Sequence, residues 1–152
     1  MKLAEALILR ADYQKRVEQL KQRLQQNAKV QEGDAPAESP AELLAELERV
    51  TAELTLLIQR INRTNSATAF APTQTLADAL ALRDVTKLKV GVYRDLAQAA
   101  SISQVRTTRS EVKFRSTVNV GELQQQADQL AKAYRELDAQ IQAANWLTDV
   151  VE

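Results

Sequence analysis

Leu43, Leu47, Val50, Leu54, Leu57 and Ile61 recur at steps of three and four residues, a spacing that lines one side of an α-helix and neither face of a strand. The same period runs through Leu123, Ala127, Leu130, Tyr134, Leu137, Ile141 and Ala144. It runs also through Ala6, Arg10, Tyr13, Val17, Leu20 and Leu24, where Arg10 is the one charged member. A fourth stretch is less regular. Leu76 and Leu80 open one stripe, while Leu82, Val85, Leu88, Val92 and Leu96 predict a broader buried face, with Gly91 inside it. An interior Gly costs about 1 kcal/mol relative to Ala, so a neighbouring helix is expected to approach closely at that point.

Local signals bound these helices. The first is predicted over 2–28 and is followed by a polar connector, 29–39, that contains Gly33 and Pro36. Ser39 is placed to cap the second helix, Pro40 has its φ preset for the first helical position, and Glu42 can complete a capping box. This helix should reach Asn65. Residues 66–74 read as a surface loop. Thr75 and Asp78 then offer a second capping box for a helix over 76–100. From Ser110 to Val120 the period changes to two, with Val112, Phe114, Val118 and Val120 alternating with polar residues, which predicts a strand. Its partner is expected from 102–108 or from a symmetry mate, because a lone strand leaves its backbone groups unpaired. Asn119 and Glu122 offer a third capping box for a last helix that ends near Trp146. The expected fold is mainly α: an antiparallel four-helix bundle with a small β-hairpin or strand, about 102–120, before the last helix, in one domain over 1–152.

Composition narrows the chemistry. The 152 residues include no Cys and no His, which removes thiolate chemistry, disulfides, the commonest general base and the commonest metal ligand. Twenty basic residues balance twenty acidic ones and aromatic residues make up 4%, so neither nucleic acid nor an anionic membrane is expected as a partner. The absence of a spanning apolar run and of a signal-peptide pattern leads to a cytoplasmic expectation. Charge is nonetheless uneven. Residues 32–59 hold seven acids against Arg49, and residues 83–115 hold eight bases against three acids. Such blocks can attract each other within one chain or between subunits, or the basic one can meet an anion.

Polar residues also sit on the packing faces: Arg10 on the first helix, Asn62, Arg63 and Asn65 at the end of the second, Arg83 and Asp84 on the third, and Asp138 and Asn145 on the fourth. Burying them unpaired costs roughly 1 to 3 kcal/mol each, so they should satisfy one another or bind something. One reading is a network that fixes helix register and oligomer state. The other is a cleft for an anionic small molecule, in which Arg supplies paired donors and Asn supplies amides. Glu42, Glu46 and Glu53 with Asp78, Asp84 and Asp95 lack the compact spacing of a magnesium site, so no metal and no cofactor are expected. Trp146 is expected to plug the end of the bundle.

The run from Arg60 to Asn65 (RINRTN), the opening Lys2 to Asp12, the stretch Ala81 to Asp84 and the ending Ile141 to Trp146 together resemble a family of small uncharacterised bacterial proteins. Some members of that family carry the label septicolysin, which implies a pore-forming cytolysin. The resemblance covers nearly the whole chain and implies no catalytic residues. The function expected from the residues is that of a cytosolic, non-enzymatic, homo-oligomeric interaction or scaffold protein with coiled-coil-like seams. The alternatives are binding or hydrolysis of a nucleotide-like anion in a polar cleft, and the pore former that the label implies.

Overall fold

The computed structural model describes residues 1–101 and 112–152. Among them are four helices, α1 (Leu3–Gln26), α2 (Pro40–Ala67), α3 (Leu76–Ala100) and α4 (Val120–Leu147), and two short strands, β1 (Ala69–Ala71) and β2 (Gln74–Thr75). The fold is mainly α, as expected, with a two-stranded antiparallel sheet ahead of the last helix. The local signals act where the sequence places them. Ser39 Oγ accepts from the Glu42 amide at 3.4 Å, and Asn119 Oδ1 accepts from the Glu122 amide at 3.1 Å. Each satisfies one of the amide donors that a helix leaves open at its start.

The sheet lies elsewhere than predicted. β1 and β2 pair as Ala69↔Thr75 and Ala71↔Gln74 in the stretch read as a surface loop. Pro72 and Thr73 make the connection between them. The expected hairpin at 102–120 falls partly on 102–111, outside the described residues, and its described part, 112–119, contains no strand.

The chain divides into two units: Met1–Ala77 with Gln142–Glu152, and Asp78–Ile141. In the first, α1 and α2 run antiparallel, with Tyr13 meeting Glu53, Arg16 meeting Glu46 and Arg23 meeting Glu38. Leu20, Leu43 and Val50 form the buried centre between them, ringed by Tyr13, Val17, Leu24 and Leu47. These are the seams read from the sequence. Glu38, Glu46 and Glu53 of the acidic 32–59 block thus find partners on α1, and Arg49 also reaches Glu53 at 3.3 Å.

In the second unit α3 and α4 are also antiparallel, because Arg83 bonds Asp138 while Ala97 lines a groove with Ala127. Here the sequence-based expectation fails. The buried positions of α3 are Leu76, Ala79, Val90 and Ala97, with Arg83, Thr86, Tyr93 and Ala100 half-buried between them. Together they make an unbroken series of three- and four-residue steps. The predicted buried face lies on the opposite side and is exposed: Leu82 by 50%, Val85 by 53%, Leu88 by 70%, Val92 by 64% and Leu96 by 42%. Nor, among the described residues, does another helix crowd Gly91, where an added Cβ would meet nothing within 4 Å. Trp146 does not plug an end either; it is 54% exposed.

The ion pairs along α1 and α2 make a pH prediction. Hydrogen bonds from Arg23 and Arg16 hold the Glu38 and Glu46 carboxyls below the ordinary glutamate value of 4.5. A carboxyl depressed in the folded state takes up its proton later than in the unfolded chain. Its contribution is therefore complete above the ordinary value and is lost as pH falls through the folded one. The melting temperature should fall between pH 6 and pH 3 by less in the Glu38→Gln, Glu46→Gln variant than in the wild type. Equal slopes would show that these pairs do not couple to folding.

Candidate functional site

The structure brings together three of the residues expected at a site. Arg83, held half-buried on the inner side of α3, donates through Nε and Nη2 to Asp84 Oδ1, both at 3.1 Å, and through Nη1 to Asp138 Oδ1 at 3.1 Å. Burial pulls the guanidinium down, yet the two carboxylates more than offset it and hold Arg83 above its ordinary value. The cluster carries one positive and two negative charges, so it offers an approaching anion no net attraction. What it does provide is a fixed register between α3 and α4.

The other expected residues lie in the first unit. Arg10 is half-buried on α1; on α2, Asn62 and Arg63 are exposed and Asn65 is half-buried. Asn145 is buried at 4% exposure. Among the described residues no buried side-chain nitrogen or oxygen lacks a hydrogen-bond partner, so none is left aimed at a ligand. No group of three acids among them is placed to hold a metal ion, and no helix is long and apolar enough to cross a membrane. A groove of ≈ 470 Å³ between α3 and α4 holds none of the expected residues; Arg94 and Asp128 are its charged walls, and Ala97 and Ala127 its buried floor.

Sequence reading missed Thr64, the fully buried centre of the RINRTN run. Its Oγ1 accepts from the Val151 amide at 3.0 Å and donates to the Arg60 carbonyl at 2.8 Å, while Arg60 Nε donates to the Val151 carbonyl at 3.2 Å. The neighbouring segment is tied to the start of the chain: Leu3 N donates to Thr148 O at 2.8 Å and Val150 N to Met1 O at 2.9 Å. Lys2 Nζ adds an ion pair with Asp149 at 3.0 Å. The run and residues 1–3 thus form a clasp on residues 148–151, in which the run's share is the Thr64 hydroxyl and the Arg60 guanidinium, both on Val151. A signal for it existed, because the α2 seam taken one step of three beyond Ile61 lands on Thr64.

The remaining feature is the outer side of α3. A contiguous row of five exposed Leu and Val side chains is more than scattered surface hydrophobes, and such rows on soluble proteins mark interaction surfaces.

The comparisons agree on kinship. A model of the family of unknown function DUF6847 matches residues 10–150. A crystal structure of a functionally unknown conserved protein from Corynebacterium diphtheriae is 48% identical, covers 99% of each chain and superposes with a TM-score of 0.93. No curated protein matches the chain.

Proposed function

We infer that this chain, which belongs to the DUF6847 family of unknown function, acts as a non-enzymatic interaction protein that assembles through the outer face of α3. The observation that carries this reading is the exposed row Leu82, Val85, Leu88, Val92 and Leu96. It lies opposite the side that α3 already uses for packing within its own unit. A helix apolar on both sides has been given two neighbours by its sequence, and one of them is not found among the described residues. The polar residues of the packing side then take the structural part: Arg83 of α3 and Asp138 of α4 hold the two helices in register so that the outer face is presented rigidly.

Sedimentation equilibrium from about 1 to 100 μM tests the reading. The wild type is expected to associate. Val85→Glu with Val92→Glu should weaken association by about a hundredfold or more, since an unpaired charge in an apolar contact costs about 3 kcal/mol. Both positions are exposed, so helicity and melting temperature of the dilute protein should be unchanged. A wild type that stays monomeric throughout would remove the reading.

A further inference from the structure

We propose that the occupant of the outer face of α3 is a second copy of this chain, aligned parallel to the first, with Asp84 of each copy against Lys89 of the other. The proposal rests on the interaction reading above and names the partner and its orientation.

The exposed positions of α3 fit one heptad frame. Ala81, Val85, Leu88 and Val92 follow one another at steps of four, three and four, and all four are exposed. This is the seam of a two-helix coiled coil. Within it the β-branched residues, Val85 and Val92, take the a positions, and Leu88 takes the d position between them. In a parallel coil that distribution favours two strands; the direction itself is set by the charges beside the seam. Leu82 and Lys89 then fall at e, and Asp84 and Gly91 at g.

In a parallel pair the g residue of one helix faces the e residue five places further along the other, which sets Asp84 against Lys89 twice over by symmetry. In an antiparallel pair g faces g and e faces e, so these two charges do not meet. Both groups are available. Arg83 bonds Asp84 only through Oδ1, which leaves Oδ2 as an acceptor, and the Asp84 side chain is 67% exposed. Lys89 has no ion pair among the described residues.

Gly91, at the other g position, also fits. Its missing side chain is explained by nothing among the described residues, whereas a helix drawn against the seam would pass beside it. Asp95 occupies the next d position and ends the apolar contact. The pairing is therefore confined to 81–92, about three turns, and should be reversible at micromolar concentration.

The absence of cysteine makes the test clean. Ala81→Cys, oxidised at a concentration where the protein associates, should give a disulfide-linked dimer. In a parallel pair this residue meets its own copy, whereas in an antiparallel pair it lies eleven residues from its counterpart. Lys89→Asp should weaken association roughly fivefold, and Asp84→Lys combined with Lys89→Asp should restore it, because exposed pairs of this kind contribute modestly but measurably. Circular dichroism confirms that each variant is folded. Association that Val85→Glu disperses but that gives neither the disulfide nor the charge-swap rescue would overturn the parallel pairing while leaving the interaction reading standing. Absence of association overturns both.

Discussion

Leu20→Ala should lower the unfolding free energy by about 2 to 5 kcal/mol, as expected for truncating a fully buried leucine. Leu20 is 1% exposed and sits against Leu43 and Val50, with Tyr13, Val17, Leu24 and Leu47 closing the sides. The cost has two parts: the lost transfer energy of the removed carbons and the cavity they leave. The cavity is hard to collapse here. Neighbours surround it on both helices, and the flanking ion pairs, Arg16 with Glu46 on α2 and Arg23 with Glu38 just before α2, tie the chain on either side of Leu20. Leu20→Met, which keeps the volume, should cost less than about 1.5 kcal/mol. Urea denaturation with an unchanged slope measures both. A loss below about 1 kcal/mol for the alanine variant would mean that the two helices close over the gap.

Thr64→Val should destabilise the protein by about 1 to 3 kcal/mol although its shape hardly changes. The hydroxyl of this fully buried residue is the acceptor for the amide of Val151, in a half-buried hydrogen bond. Removing it leaves that half-buried amide without its acceptor, and a donor shielded from water and unpaired costs more than the bond itself contributes. The Arg60 to Val151 bond remains, so the clasp should loosen rather than open. Hydrogen exchange of the Val151 and Val150 amides should therefore accelerate while amides near Leu20 keep their protection. Thr64→Ser retains the hydroxyl and should leave the Val151 amide protected. Equal acceleration in both variants would assign the role to the methyl group instead.

The elements themselves were legible because their signals are local. A cap, a proline at the first helical position and a three-four period act over a few residues, and α2, α3 and α4 begin at Pro40, Leu76 and Val120 as those signals require. The seams of α1, α2 and α4 were legible for a related reason: each of those helices has a single dominant apolar side. β1 and β2 were not, since five residues divided by Pro72 and Thr73 are too few to display a period.

By itself, then, the sequence determined a mainly α chain, the ends of its helices, and a chemistry without thiol or imidazole. Only the tertiary structure decided which side of α3 turns inward. α3 has two helical seams, and hydrophobicity alone favours the one with Leu82, Val85, Leu88, Val92 and Leu96. The inward side is instead the one with Ala79 and Ala97, both buried, and with Arg83 in reach of Asp138. Small side chains let a neighbouring helix come close, and a paired charge sets its register. Those properties belong to a pair of surfaces and not to one helix, so no reading of α3 alone could rank its two sides.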